Sequence, residues 1–230
     1  EGVVIFGVTG QHKGLDTSDA TATAVDIALG KTAYVNGEKI EETMEVTGGD
    51  DFVITDATGL FYKGARMNQF EEYLKRCKGV ISCVSMFESL DDNFPATTID
   101  LRGKIDTSNS TSFRSAFGSN PIIESVYLGG LDVTNVTDTA YMFTNCSGLS
   151  TIDFDGWDLK NVSNVTTNMF YNCTSLSDAT LQNIAYLTKT MVNHPSRKIK
   201  DLGLTSAQAT KVYNYGRAAY GELYYWSTGN

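Results

Sequence analysis

From about Val80 onward, apolar and polar positions recur with a period of 26 or 27 residues. One copy runs Asp106–Leu131 (DTSNSTSFRSAFGSNPIIESVYLGGL) and the next Asp132–Trp157 (DVTNVTDTAYMFTNCSGLSTIDFDGW). A third starts at Asp158 (DLKNVSNVTTNMFYNCTSLSDATLQNI), and a degenerate copy spans about Val80 to Ile105. Each copy carries a bulky apolar pair (Met86-Phe87, Ala116-Phe117, Met142-Phe143, Met169-Phe170). An apolar anchor follows six residues after the Phe (Ile123, Leu149, Leu176). Then comes a short alternating stretch: Ile99/Leu101, Val126/Leu128, Ile152/Phe154, Ala179/Leu181. Alternation with period 2 predicts a half-buried strand. A fixed repeat period predicts stacked units, none able to bury its apolar face alone. The expectation is four parallel strands at 99–101, 126–128, 152–154 and 179–181. Trp157 shares a register with Leu131 and Ile184, which assigns it to the core. Asn135/Asn161 and Asn145/Asn172 recur too, and we assign them to bonding loop backbone groups.

Outside the repeats the pattern changes. Val3, Ile5 and Val8 predict a short strand, and DTSDATATAVDIALGK a short helix ending at Gly30. TAYVNGEKI predicts two strands joined by Asn36-Gly37, since a type I′ turn needs positive φ at both centres. A second hairpin is expected in DFVITDATGLFYKGAR, turning near Thr58-Gly59. Met67, Phe70, Leu74 and Cys77 stand at helical spacing. Beyond Leu187 the repeat is lost. LTSAQATKVYNYGRAAYGELYYW predicts a Tyr-rich helical cap, with Ser206 at its start, covering the last repeat. The domain reading is 1–48 N-terminal attachment module, 49–79 hairpin–helix connecting segment, 80–187 repeats and 188–230 cap.

Charge narrows the partners. The 230 residues carry a net −9, distributed as −5 over 1–79, −8 over 80–187 and +4 over 188–230. An acidic repeat body argues against nucleic acid or an anionic membrane as partner. No apolar run approaches the ~18 residues of a membrane helix, so membrane insertion is not expected. No secretory signal is visible, but the chain opens at Glu1 in what reads as mid-fold, so residues upstream are expected to have been removed or left out.

Candidate chemistry is sparse. Four cysteines are too few for a disulfide scaffold in 230 residues. Cys146 and Cys173 fall one above the other in the repeat and are expected as buried free thiols, a disulfide being the alternative. No ligand-spaced histidines accompany them, so no zinc site and no cofactor is expected. His12 and His194 are placed on surface loops. Asp50-Asp51 and Asp91-Asp92 are the acidic pairs that a glycosidase or a calcium site would use, and solvated loop acids are the alternative. No nucleophile elbow, phosphate loop or dinucleotide fingerprint occurs, and no catalytic residue is assigned. Six Asn-x-Ser/Thr matches, at Asn109, Asn135, Asn145, Asn161, Asn164 and Asn172, follow from the repeat grammar rather than from glycosylation.

The stretch NVTDTAYMFTNCSGLSTIDFDGWDLKNVSNVTTNMFYNCTSL resembles the BspA-type leucine-rich repeats of bacterial surface proteins and phage structural proteins. The likeness covers 106–187 well and 80–105 weakly. DATATAVDIALGKTAYVNGEKIEETM is similar to a short module of tail and fibre proteins of phages that infect Gram-positive hosts, although Glu41-Glu42-Thr43-Met44 replaces the usual Thr-Gly-Thr-Met ending. The resemblance implies an α/β fold: a leucine-rich-repeat-like short solenoid with parallel strands, a small N-terminal β-hairpin/helix module and a helical C-terminal cap. It further implies a non-enzymatic virion protein, a tail- or head-fibre-like appendage that binds a glycan or protein of the host surface. Other virion subunits would be held through the N-terminal module, and by fibre analogy the assembly would be a homotrimer. A bacterial cell-surface adhesin and a purely structural decoration protein are the alternatives.

Outward strand positions would line up as columns on one face: Thr98/Ser125/Thr151/Asp178, Asp100/Tyr127/Asp153/Thr180 and Arg102/Gly129/Asp155/Gln182. From these the expected ligand-binding residues are Asp100, Arg102, Tyr127, Asp153, Asp155 and Thr180. Carboxylates and hydroxyls would bond sugar hydroxyls, with Tyr127 as an apolar platform. Ordinary solvated strand residues are the alternative, and the Tyr-rich cap (Tyr213, Tyr220, Tyr224, Tyr225) is the next candidate surface.

Overall fold

The computed structural model describes residues 53–90, 96–162, 167–194 and 196–229, together with four short strands in the first fifty. The chain divides into two compact units, Glu1–Asp50 and Asp51–Asn230. In the first, β1 (Val3–Ile5) pairs antiparallel with β2 (Val8–Gly10), so the opening segment is two strands rather than the one expected. β3 (Thr32–Val35) pairs antiparallel with β4 (Glu38–Glu41) on either side of Asn36-Gly37, as the turn signal requires. The helix expected before Gly30 lies outside the described residues.

In the second unit, successive turns of the chain lie one on the next. Its axis is a column of phenylalanines: Phe61, Phe87, Phe117, Phe143 and Phe170, with ring centroids 5.0, 5.3, 5.3 and 5.7 Å apart and planes within 9° of parallel. All five rings are buried. Burial stabilises by about 1.5–3 kcal/mol per ring, and each ring pair adds roughly 0.5–1.5 kcal/mol. Every Phe N–H donates to the next turn of the chain: Phe61 to Met86 O (2.8 Å), Phe87 to Ala116 O (2.7 Å), Phe117 to Met142 O (2.9 Å), Phe143 to Met169 O (2.9 Å) and Phe170 to Leu202 O (2.8 Å).

Two left-handed residues flank each Phe, two positions before and two after: Gly59/Lys63, Ser85/Ser89, Ser115/Ser119, Tyr141/Asn145 and Asn168/Asn172. This corrects the reading of Asn145 and Asn172. They recur because Asn tolerates positive φ, and the Asn172 side chain bonds the Asn145 side chain (3.3 Å) instead of loop backbone. Asn135 and Asn161 do bond backbone, to Ser108 O (2.8 Å) and Thr134 O (2.6 Å). Asn109 and Asn193 extend that ladder to Gly79 O and Lys160 O.

The expected second hairpin is absent. Among the described residues of 53–66 there is no strand, and Ala57, Gly59, Phe61 and Lys63 instead donate to Ser82, Val84, Met86 and Glu88. Phe61 stands 26 residues before Phe87, so this segment is itself a turn of the stack. A one-turn 3-10 segment, Met67–Gln69, leads into α1 (Phe70–Arg76), as the apolar spacing foretold.

Three parallel strands, β5 (Thr98–Asp100), β6 (Ser125–Tyr127) and β7 (Thr151–Asp153), form a small open sheet. Their register aligns Ile99, Val126 and Ile152 inward, as expected. The fourth strand is not there: 178–190 is helix α2 (Asp178–Thr190). Ser177 caps it by accepting from Thr180 N, and Leu181, Ile184, Ala185 and Thr188 are buried at helical spacing, whereas Ala179 is exposed. The helical cap thus begins ten residues before the expected boundary. After a 3-10 turn at Ile199–Leu202, α3 (Ser206–Tyr220) packs on α2. Its N-cap is Thr205, in a reciprocal capping box with Gln208, and Ser206 is the first helical residue. The result is a mixed α/β unit with a three-stranded parallel sheet and three helices.

Candidate functional site

The outer face of the sheet brings Asp100, Tyr127 and Asp153 side by side, each paired with the next in the strand register. Arg102, one turn beyond β5, folds back over them. Its Nε and Nη2 bond both Asp100 oxygens (2.9 and 2.7 Å), Nη1 lies 3.8 Å from Asp153 Oδ2, and the guanidinium sits 4.5 Å from the Tyr127 ring centre. Hydrogen bonding to Arg102 holds the Asp100 carboxyl below the usual carboxylate range. One face of Tyr127 is therefore covered by a cation, and the surface is a carboxylate–guanidinium–aromatic array instead of a bare apolar platform.

Asp153 Oδ1 accepts from Asp155 N (2.9 Å), which fixes both acids on the exit turn of β7. A Cβ at Gly129 would lie 2.7 Å from Asp153 Oδ2 and 3.3 Å from Asp155 Cβ, so any larger residue there would push the Asp153 carboxylate out of its present position beside β6. Thr180 does not join them. It is buried in α2, where its hydroxyl donates to Ser150 O (2.7 Å) and accepts from Ile152 N (3.2 Å). It stands in for a fourth strand, satisfying the open edge of β7. Five of the six expected residues gather on one surface, and the sixth is structural.

Beside Asp153 and Asp155 opens a cleft of about 240 Å³, walled also by Phe154, Asn183 and Tyr186. Asn183 donates to Ile152 O (3.3 Å), which fixes its amide at the cleft mouth. Sequence reasoning missed Asn183 and Tyr186 because it continued the strand pattern through 179–181. The signal was present in Ser177 and in the helical spacing of Leu181, Ile184 and Ala185.

The remaining candidates have structural roles or lie outside view. His194 is buried, not on the surface, with its ring 4.9 Å from Trp226. Its Nδ1 accepts from Ser196 N and Arg197 N (3.3 Å each), and burial lowers its pKa. The four cysteines are free and buried, and burial pushes the Cys77, Cys83 and Cys146 thiols up to about 12. The Cys146 and Cys173 thiols donate to Phe117 O and Phe143 O, one turn of the stack apart. Trp157 is buried as expected, its Nε1 donating to Leu128 O (3.0 Å). His12, Asp50-Asp51 and Asp91-Asp92 lie outside the described residues. Among the described residues no three of His, Cys, Asp and Glu converge as for a metal ion, and no helix is long and apolar enough to cross a membrane. What the sheet face offers chemically is a set of fixed hydrogen-bond donors and acceptors around one ring.

No curated protein and no solved structure matches the chain significantly. A family model, Mycoplasma protein of unknown function, DUF285, matches residues 81–197, just over half of the 230. That family is associated with BspA-like repeat proteins. The match runs from the second Phe turn through α2 to the segment that leads into the 3-10 turn at Ile199–Leu202, and by it the chain belongs to the DUF285 family.

Proposed function

We propose that this chain is a non-enzymatic recognition protein: a short solenoid of the leucine-rich-repeat kind in a phage virion appendage, which attaches to glycans of the host surface. The observation that carries the reading is the sheet-face array. Asp100, Tyr127 and Asp153 are held in register by backbone pairing, and Arg102 and Asp155 are anchored to them. Such an array is already formed without a ligand, which lowers the ordering cost of binding. Its carboxylates and guanidinium suit the dense hydroxyls of a sugar. Other virion subunits would be bound through the N-terminal unit, with three copies in the assembled form.

A second carrier fits the same surface. The family's description names Mycoplasma, which favours a bacterial cell-surface adhesin. The test of the recognition reading is a Tyr127→Ala/Asp153→Ala/Asp155→Ala variant, checked for folding and measured for attachment to a panel of Gram-positive bacteria and mycoplasmas. The reading expects attachment by the parent chain and its loss in the variant. Unchanged attachment would move the contact off the sheet face. The source of the gene, prophage or host, separates the two carriers.

A further inference from the structure

The cleft beside Asp153 does not end at Tyr186. That side chain, 49 % exposed, is also a wall of a second cleft of about 380 Å³ between α2 and α3. The second cleft is lined by Gln182, Tyr186, Tyr215 and Tyr220 over Ala185 and Ala218. Its outer tyrosine is braced from within: Tyr220 stacks on Tyr224 (6.3 Å, 19°), and the buried Tyr224 bonds Thr188 through its hydroxyl (2.8 Å). Tyr224 in turn lies against Gly216, where any Cβ would collide with its ring. Only glycine at 216 therefore lets α3 come down on Tyr224, and this close approach sets the position of Tyr220 at the groove.

We propose that the two clefts form one channel across Tyr186, and that it takes an extended, uncharged oligosaccharide chain. The lining has two parts with complementary chemistry. At the sheet end, Asp153, Asp155 and the Asn183 amide offer acceptors and donors for ring hydroxyls. At the helix end, Tyr186, Tyr215 and Tyr220 offer amphipathic rings, each with an apolar face and a polar tip, beside the Gln182 amide. No Lys or Arg lines either cleft, and two carboxylates do, so an anionic chain is disfavoured. The helix-end cleft, about 380 Å³, falls at the low end of the ~300–1,000 Å³ typical of ligand sites, and the sheet-end cleft of about 240 Å³ reaches that range only when joined to it. A chain crossing both clefts would contact several residues weakly at each step, so affinity should rise with chain length.

The inference rests on the surface-recognition reading and names its ligand class and path. The test uses the full chain and calorimetric titration with neutral dimers and hexamers of N-acetylglucosamine, glucose (β-1,4) and glucose (α-1,4), with polygalacturonate as the anionic probe. At least one hexamer should bind roughly tenfold or more tighter than its dimer. Tyr186→Ala should weaken that hexamer about tenfold while leaving its dimer within about threefold. Tyr186→Phe should keep most of the hexamer affinity, because the ring face and not the hydroxyl makes the contact. Binding to none of the neutral hexamers, binding to polygalacturonate alone, or full hexamer affinity in Tyr186→Ala would overturn the channel. Cell attachment separates the two readings. If the sheet-face triple variant loses attachment and Tyr186→Ala keeps it, the channel fails and sheet-face recognition stands. If both attach normally, both fail.

Discussion

Replacing Phe143 by Ala removes an interior ring of the aromatic column, the fourth of its five. Phe143 is fully buried, stacked on Phe117 at 5.3 Å and on Phe170 at 5.7 Å, and its edge meets Phe154 at 6.1 Å. A buried Phe→Ala change costs about 3–5 kcal/mol from lost transfer energy and the cavity left behind. Ring contacts on both sides place this site near the upper end, because a cavity between two stacked rings cannot close unless turns of the chain shift together. Against a total stability of about 5–15 kcal/mol, the loss is a third or more. With a urea m-value of about 2 kcal/mol/M, the midpoint should fall by about 2 M. The assay is urea unfolding followed by far-UV circular dichroism, with Tyr171→Ala as an exposed control expected within about 0.5 kcal/mol of the parent. A Phe117→Ala/Phe143→Ala cycle should show a coupling of about 0.5–1.5 kcal/mol. A Phe143→Ala cost below about 1.5 kcal/mol would refute the view that the column is the structural axis.

Three further outcomes follow. Ser119, held at φ 60°, should favour glycine, and Ser119→Gly should stabilise by about 0.5–1 kcal/mol in the same urea titration. The four buried thiols, their pKa values raised by burial, should resist a thiol-specific reagent at pH 8 in the folded protein and react at once in denaturant. His194 has its pKa lowered, chiefly by burial, so the unfolded chain takes up its proton first. Stability should be full above the unfolded value of about 6.5 and decline as pH falls below it, a decline that His194→Gln should flatten.

Much of this architecture is legible in the sequence because the repeat carries it. The inward residues Ile99, Val126 and Ile152 and four of the five rings of the Phe column follow from spacing alone. So does the burial of Trp157, read from its register with Leu131 and Ile184. What was not legible falls where local chemistry overrides periodicity. Ala179 and Leu181 continue the alternation of the earlier copies. Two positions are too few to outweigh an N-cap at Ser177 followed by apolar residues three and four apart. The turn around Phe61 was hidden by Thr58-Gly59, which signals a hairpin but serves here to give the first left-handed residue of a stacked turn. The sheet-face site was readable as columns, except that a column assigns direction and not environment. It could not foresee Arg102 lying over Tyr127, or Thr180 turned inward to close the sheet edge.

The most direct measurement of the central claim is equilibrium binding of the fluorescently labelled full chain to intact cells of that panel, before and after periodate oxidation or protease treatment of the cells. Surface recognition of glycans predicts saturable binding to at least one strain that periodate abolishes and protease spares. Absence of saturable binding to every strain, or binding lost to protease and untouched by periodate, would contradict it.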